Sequence, residues 1–275
     1  MMLLGLDSYS FHLAFARHED FSCDEPIDLF QFIDRVSKLG FHGFQIDPMH
    51  LESDKADYVL QLKSLADERG LFVEHGIMSV KPEDIIAGIH VCQMLDSPIL
   101  RTFIGFDRFS PATNVRHELE QAKLDISRSL KGLQDAGVYL AIENHGDVTS
   151  EELVQLVLDI GDPHVGICLD VGNSLCVLEE PMQAFERMLP YALTTHFKDY
   201  MPGMTNFGCK IYGTALGSGM LPVKEMYKKI VDQGKLDKLI LEIPVEAESA
   251  VEASLAKEQQ AIEASIEYCR KELNF

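Results

Sequence analysis

Four apolar segments of the chain each end at a residue that can bind a metal ion. The segment LAIE ends at Glu143, ICLD at Asp170, LTTH at His196 and LILE at Glu242. The first two steps, of 27 and 26 residues, match the length of one strand followed by one helix. Carboxylates brought to one place repel each other unless a cation lies among them. The spacing therefore predicts a metal site built from the ends of successive strands.

A single polar residue at the end of a strand is more often a solvated terminus or a helix cap, and LGLD ends at Asp7 in the same way. What favours a metal site is that four successive segments end only in residue types that bind metals. An oxygen-rich set of ligands suits Mn²⁺ best, with Mg²⁺, Co²⁺ and Zn²⁺ as alternatives. We therefore predict one divalent metal ion per chain, with Mn²⁺ preferred.

The four segments belong to a regular alternation of short apolar runs and longer amphipathic stretches. A charged helix end followed by a glycine, as in DERGLFVEH, marks several of the helix-to-strand transitions. The predicted strands lie at 3–7, 42–46, 71–75, 99–104, 138–143, 165–170, 192–197 and 238–243. The predicted helices lie at 26–39, 55–69, 82–95, 114–136, 150–160, 181–189, 222–233 and 253–272.

Eight strands, each followed by a helix, predict parallel pairing with right-handed crossovers. We predict an α/β protein with a single (β/α)8 TIM barrel over residues 1–275, whose strand ends meet at one mouth. An open doubly wound sheet is the alternative, but the first turn, GLDSYSFH, lacks the glycines of a nucleotide-binding turn. The segment 200–221 is rich in Gly and Pro and is predicted to be a long loop.

The composition limits the partners of the chain. A formal net charge of −20 repels phosphate, so nucleic acid and anionic membranes are not expected as partners. The six cysteines form no C-x-x-C pair, which is typical of a reduced intracellular protein. No apolar stretch reaches the length of a membrane span, and MMLLGLDSYS lacks the basic start of a signal peptide. We therefore expect a cytoplasmic protein that acts on a small molecule.

Several short motifs resemble a known family. The motifs AIENH, ICLDVGN, HFKD and LILEIPVE are similar to signature segments of the xylose isomerase-like TIM barrels, the sugar phosphate isomerase/epimerase family. The likeness covers nearly the whole chain in the order of its elements. It implies that the metal ligands are Glu143, Asp170, His196 and Glu242, and that the protein is a homodimer or a homotetramer.

The resemblance implies an enzyme of carbohydrate metabolism in which Glu143 and Glu242 are both ligands and acid–base catalysts. A metal that chelates a carbonyl and the neighbouring hydroxyl acidifies the C–H bond between them and stabilises the resulting enediolate. One glutamate would remove that proton and the other would return one. We predict a metal-dependent isomerase or epimerase of a small sugar or related keto-polyol. A dehydratase (lyase) of the inosose or dehydroshikimate type, with the same metal site, is the alternative.

Two further alternatives are less favoured: a barrel that binds a ligand without chemistry, and a nuclease similar to endonuclease IV. The nuclease needs several extra histidines, and the chain after His196 contains none. Asn173 stands where ketose 3-epimerases and endonuclease IV carry a histidine, and Pro202 where the epimerases carry an arginine. Both differences disfavour a 3-epimerase of free ketoses.

Other residues near the predicted strand ends are candidates for substrate binding. His145 and Lys198 lie two residues past Glu143 and His196 and share their inward parity. For each of these candidates, the alternative to substrate binding is that the side chain only makes a structural hydrogen bond. Gln45 stands where relatives often carry an inward glutamate. Substrate specificity is expected in rim loops such as 8–25 and 200–221. The predicted substrate-binding residues are His75, Arg101, His145, Asn173 and Lys198.

Overall fold

The eight predicted strands all occur close to their predicted positions, and the structure adds two more. The structure is a computed structural model, and it describes residues 2–17 and 21–275; positions 18–20 of the predicted rim loop 8–25 lie outside the described residues. The strands are β1 (Leu3–Asp7), β2 (Gly43–Ile46), β3 (Phe72–Gly76), β4 (Ile99–Thr102), β5 (Tyr139–Glu143), β6 (Val165–Asp170), β7 (Ala192–His196), β8 (Asp199–Thr205), β9 (Gly208–Thr214) and β10 (Lys238–Leu241).

The helices alternate with the strands. Short 3₁₀ turns at Ser8–Phe11, Asn173–Val177 and Leu189–Tyr191 join some of these elements. The α-helices are α1 (His12–Phe15), α2 (Leu29–Leu39), α3 (Ala56–Glu68), α4 (Pro82–Leu95), α5 (Val115–Ala136), α6 (Ser150–Ile160), α7 (Pro181–Met188), α8 (Val223–Gln233) and α9 (Val251–Glu272).

Eight of the strands form one sheet in the order β10-β1-β2-β3-β4-β5-β6-β7. A parallel bridge between Phe197 and Leu241 brings the two ends of this order together. The amide of Phe197 donates to the carbonyl of Ile240 at 2.8 Å, and the amide of Glu242 donates to the carbonyl of Phe197 at 3.1 Å. The fold is therefore the predicted (β/α)8 TIM barrel.

The chain divides into two compact units, each with its own buried residues. The unit made of Met1–Glu52, Leu65–Phe72 and His196–Phe275 contains an aromatic cluster in which the ring of Phe32 lies 5.7–6.0 Å from three other rings. The unit made of Ser53–Ser64 and Val73–Thr195 has a core of Ile99, Ala141, Cys168 and Leu193. The assignment of residues 1–275 to a single domain stays a prediction.

Local sequence explains where the helices begin and end. Thr149 and Glu152 form a capping box: the Thr149 hydroxyl accepts from the Glu152 amide at 3.2 Å, and the Glu152 carboxylate accepts from the Thr149 amide at 2.8 Å. Asp28 caps α2 in the same way, which is why this helix begins three residues later than predicted. Gly137 ends α5 at φ +66°, a left-handed conformation that glycine adopts without strain.

The prediction of a long loop over 200–221 is wrong for most of its length. Residues Asp199–Thr205 and Gly208–Thr214 form the antiparallel hairpin β8–β9, in which Thr205 pairs with Gly208. Most of its residues are exposed, so the segment has no alternation of buried and exposed positions.

Among the residues that the structure describes, no helix has the length and apolar character needed to cross a membrane.

Candidate metal centre

The structure brings the four predicted metal ligands together. Glu143, Asp170 and His196 are the last residues of β5, β6 and β7, and Glu242 directly follows β10. Each offers one ligand atom, and these atoms all lie within 4.8 Å of one another. All four side chains are buried. The cluster is therefore a group that could hold a metal ion, at the edge of the barrel where parallel strands end.

The chemistry of this donor set fits a divalent cation. Three carboxylates and one imidazole provide mainly hard oxygen ligands, which suit Mn²⁺ and Mg²⁺. At metal–oxygen distances of about 2.1 Å, opposite ligands of one ion lie about 4.2 Å apart, close to the observed spread. The thiol of Cys168 also lies within 4.8 Å of ligand atoms of Glu143 and His196, and Cys168 is buried in the core. The set of four needs little adjustment to close around one ion.

Glu143 is held through both of its carboxylate oxygens. The Nε of Arg101 donates to Oε2 at 2.6 Å, and a second guanidinium nitrogen contacts the same oxygen. The amide Nδ2 of Asn173 donates to Oε1 at 3.1 Å. The guanidinium of Arg101 also lies 5.2 Å from the centre of the Phe103 ring. These partners fix the orientation of Glu143 before any ligand binds.

Asp170 is oriented by the turn that follows β6. Its Oδ1 accepts from the backbone amides of Gly172 and Asn173, both at 2.8 Å. The side chain of Asn144 makes two hydrogen bonds to the backbone of Asp170, one to the carbonyl at 2.9 Å and one from the amide at 3.0 Å. Asn144 therefore has a structural role, because it ties the end of β5 to the end of β6.

His196 is oriented by Gln45, at the end of β2. The Nε2 of His196 lies 2.7 Å from Oε1 of Gln45 and 3.6 Å from Oδ2 of Asp7. Both oxygens can only accept, so Nε2 carries the proton and Nδ1 carries the lone pair. Nδ1 lies 3.4 Å from Oε2 of Glu242. A hydrogen bond that fixes the tautomer is the usual support of a metal-binding histidine.

Glu242 lies among polar side chains of the rim. The Nζ of Lys198, itself buried, directly contacts Oε2 of Glu242. Tyr9 lies within electrostatic range: burial, followed by the negative charges of Glu242 and Asp47, raises the pKa of the Tyr9 phenol to about 12. Tyr9 therefore keeps its proton at neutral pH and can act as a hydrogen-bond donor. Its ring stacks on His12 at 4.9 Å.

The other predicted substrate-binding residues differ in placement. His145 is exposed on the rim and stacks on Phe103 at 4.3 Å. His75 is in register with Leu100, whose side chain lies against helix α4 at Gly88, so His75 belongs to the same outward face. Burial lowers the pKa of His75 to about 4, and no described residue bonds to its Nδ1. The structure brings Arg101, Asn173 and Lys198 to the cluster, but not His75.

Sequence reasoning missed the supporting role of Gln45 and the presence of Tyr9. The only available signal for Gln45 was its position at the end of the second strand, where relatives often carry glutamate. Tyr9 lies in the 3₁₀ turn after β1. This turn belongs to the rim loop 8–25, which was predicted to determine specificity, but no single residue in it was predicted.

The chain is similar to several proteins that are named as enzymes. The chain is 24% identical over 237 residues to 3-oxo-isoapionate decarboxylase of Pectobacterium atrosepticum, an alignment that covers 83% of this chain and 81% of the relative. D-psicose 3-epimerase of Clostridium cellulolyticum H10 has a TM-score of 0.73 at 16% identity, covering 99% of each chain. The probable 3-DHS dehydratase AsbF of Bacillus anthracis has a TM-score of 0.70 at 14% identity, covering 98% of this chain and 99% of that chain. At these identities the structural likeness shows the fold alone.

The family itself is shown by a sequence profile. The profile of the xylose isomerase-like TIM barrels matches residues 33–272, which is most of the chain and includes all four residues of the cluster. The chain therefore belongs to the xylose isomerase-like TIM barrel family.

Proposed function

We propose that this protein is a divalent-metal-dependent enzyme that converts a small sugar or related keto-polyol through an enediolate, as an isomerase or epimerase. The observation that carries the proposal is the buried cluster of three carboxylates and one imidazole at the carboxyl ends of the barrel strands. Active sites of TIM barrels lie at this edge. Membership of a family whose named relatives catalyse reactions of sugars supports it.

The residues that would hold the cation are Glu143, Asp170, Glu242 and the Nδ1 of His196. A bound divalent ion, with Mn²⁺ as the first candidate, would supply Lewis-acid polarisation of the substrate carbonyl. Asp170 and His196 would act as ligands only, because their other polar atoms are committed to the backbone and to Gln45.

Glu242 is best placed to move the proton. Its carboxylate would take the proton from the carbon next to the substrate carbonyl, and the electrons of that C–H bond would form the enediolate. Returning the proton to the adjacent carbon, while a second proton passes from the hydroxyl oxygen to the former carbonyl oxygen, gives an aldose–ketose isomer. A proton delivered to the opposite face of the original carbon gives an epimer. In the isomerisation, Glu242 alone would carry the proton between the two carbons. Epimerisation also needs Glu143, whose two oxygens already accept from Arg101 and Asn173.

Solvent exchange tests this proposal. Purified protein loaded with Mn²⁺ is incubated in D₂O with a panel of small ketoses, aldoses and keto-polyols, and NMR follows deuterium at the carbon next to the carbonyl. We expect incorporation at that carbon, together with an isomer or epimer. Stripping the metal with a chelator should abolish the exchange, and adding Mn²⁺ should restore it. Exchange that survives complete removal of the metal would rule the scheme out.

Decarboxylation of a hydroxylated 3-oxo acid is a second candidate, favoured by two buried cations beside the cluster. Arg101 and Lys198 are each about 3% exposed, and such side chains bind carboxylates well. The bond between the carboxyl carbon and its neighbouring carbon would break, and CO₂ would leave. The electron pair of that bond would form an enolate, which would then take up one proton from solvent. The decarboxylase relative, 24% identical, supports this candidate.

Product analysis separates the two candidates. The same metal-loaded protein is offered hydroxylated 3-oxo acids and, separately, the ketones that they would give on loss of CO₂. Release of CO₂ with incorporation of one solvent deuterium identifies the decarboxylase, whereas rearrangement of the ketone identifies the isomerase. A product that has lost one water identifies the dehydratase instead.

A further inference from the structure

Tyr9 stands between two buried serines whose hydroxyls bind the backbone of other segments. Both serines belong to the 3₁₀ turn that follows β1. The hydroxyl of Ser8 accepts from the backbone amide of Asp47 at 2.9 Å. The hydroxyl of Ser10 accepts from the backbone amide of Ile243 at 2.9 Å. The turn is therefore fixed on one side to the residues after β2 and on the other side to the residues after β10.

The hydrogen bond between Ile243 and Ser10 places Tyr9 beside Glu242. Tyr9 precedes Ser10 in the chain and Glu242 precedes Ile243, so each is the neighbour of a bonded residue. The strands β1 and β10, which lead to these residues, are paired in parallel. The phenol of Tyr9 also interacts electrostatically with Glu242 and with Lys198, which agrees with this placement.

The ring of Tyr9 is both accessible and held in place. Tyr9 is half-buried, whereas the serines on either side of it are buried. Its backbone amide donates to Oδ1 of Asp7 at 2.6 Å, and Nδ1 of His12 lies 3.0 Å from its carbonyl oxygen. The imidazole of His12 packs on the phenol, with 12° between the two ring planes. A side chain that is held in this way loses little conformational freedom when a ligand binds.

The phenol differs in chemistry from the charged groups around Glu242. Asp7 and Asp47 interact with it electrostatically, and ionised carboxylates can only accept hydrogen bonds. The ammonium group of Lys198 contacts Glu242 directly. A phenol both donates and accepts, as the hydroxyl of a sugar does. Because burial and the negative charge of Glu242 raise the pKa of Tyr9 to about 12, the phenol keeps its proton at neutral pH.

We propose that Tyr9 is a specificity-determining residue that binds one hydroxyl group of the substrate, on the carbon next to the two carbons that react. This inference rests on the metal-dependent function proposed above. The phenol lies beside Glu242, so it meets the substituent next to the carbons on which Glu242 acts. A substrate without this hydroxyl binds more weakly, because the phenol then faces an apolar carbon.

Calorimetric titration with two small hydroxamic acids tests the proposal. Both acids chelate a divalent ion through two neighbouring oxygens, as an enediolate does. Glycolohydroxamic acid carries one further hydroxyl on the next carbon, and acetohydroxamic acid lacks it. Each acid is titrated into Mn²⁺-loaded wild type, Tyr9→Phe and the matched control Tyr227→Phe, which alters a half-buried tyrosine on α8.

We expect wild type and control to bind glycolohydroxamic acid about 10-fold more tightly than acetohydroxamic acid, the difference that one good hydrogen bond makes. In Tyr9→Phe this preference should disappear, while the affinity for acetohydroxamic acid stays unchanged. Circular dichroism should show the same fold for all three proteins, because each substitution removes a single oxygen atom.

Four outcomes would overturn the proposal. Equal binding of both acids to wild type would remove the role of Tyr9 and leave the metal centre intact. A preference that survives in Tyr9→Phe would assign the hydroxyl to another group. Weaker binding of both acids to Tyr9→Phe, by the same factor, would make Tyr9 a structural residue. If neither acid bound to wild type in Mn²⁺, the metal centre itself would fall, and this inference with it.

Discussion

Glu143 and Glu242 are both cluster residues beside a buried basic side chain, yet they are held differently. Glu143 is the last residue of β5, is 0% exposed, and accepts hydrogen bonds at both oxygens from Arg101 and Asn173. Glu242 lies just past β10, is 6% exposed, and has Lys198 and His196 beside a single oxygen. A fixed carboxylate suits a metal ligand, whereas a more accessible one beside an ammonium group suits proton transfer.

Substituting the two glutamates gives the largest expected difference. Glu242→Gln should lower kcat by about 10³-fold at saturating Mn²⁺, because an amide cannot take the proton. Glu143→Gln should instead weaken metal binding, so that higher Mn²⁺ restores part of the rate. Steady-state kinetics over a Mn²⁺ series measures both effects, with the exposed Glu252→Gln as the control. If both variants lost the same amount of activity and added Mn²⁺ restored it in neither, the two glutamates would not differ in role.

Removing the basic partners tests the same comparison through stability. Arg101→Met leaves Glu143 buried without its guanidinium and should cost about 3–5 kcal/mol of unfolding free energy in metal-free protein. Bound Mn²⁺ should recover much of this loss by taking over the neutralisation of Glu143. Lys198→Met should cost less, because Glu242 is slightly more accessible than Glu143, at 6% exposed against 0%.

Urea unfolding with and without Mn²⁺ measures these losses. Arg108→Met is the matched control, because Arg108 pairs with Glu152 at the surface and its removal should cost no more than about 1 kcal/mol. An Arg101→Met variant as stable as wild type would show that Glu143 does not depend on the guanidinium.

The two units should also respond to pH in opposite directions. In the unit with Glu143, burial lowers the pKa of His75 to about 4, below its ordinary 6.5, so stability should fall as the pH drops from 6.5 towards 4. In the unit with Glu242, burial raises the pKa of Glu258 to about 8 from 4.5, so stability should fall as the pH rises from 4.5 towards 8. Between pH 7 and pH 4, the shift of His75 corresponds to at most about 3 kcal/mol of unfolding free energy. Between pH 4.5 and pH 7, the shift of Glu258 corresponds to a similar amount, at most about 3 kcal/mol.

Chemical denaturation across this pH range, on wild type and two variants, checks the prediction. Glu258→Gln keeps an oxygen that can accept from the Leu13 amide. Because the amide does not titrate, this variant should lose less stability than wild type as the pH rises. His75→Asn should flatten the loss at low pH. If either variant follows the wild-type curve, the corresponding group does not titrate as proposed.

The smallest expected effect concerns the orientation of His196. Gln45→Leu removes the acceptor for Nε2–H and should weaken Mn²⁺ binding by about 10- to 100-fold, because the tautomer with a free Nδ1 is no longer favoured. Isothermal titration calorimetry with Mn²⁺ measures the affinity directly and does not require a substrate. The companion variant Asn144→Ala, which acts on the backbone of Asp170, separates a specific effect on His196 from general loosening of the site. Unchanged affinity in Gln45→Leu would make the hydrogen bond merely structural.

The sequence predicted the barrel and the four cluster residues because both leave local signals. Strands that end in ligand residues, glycines after helices and the ICLDVGN and HFKD motifs can all be seen within a few neighbouring residues. The supporting contacts leave no such signal: Arg101 meets Glu143 across 42 positions and Gln45 meets His196 across 151. The hairpin escaped prediction because a strand exposed on both faces has no apolar period.

The seam that closes the barrel has a consequence for how the protein would lose activity. Phe197 forms the closing bridge and stands between His196 and Lys198, and its carbonyl accepts from the amide of Glu242. A brief local opening of this seam would therefore move two residues of the cluster, His196 and Glu242, together with the neighbouring Lys198. Amide hydrogen exchange at Phe197 and Glu242 should consequently slow when Mn²⁺ binds, and these two amides would report the integrity of the site in the intact protein.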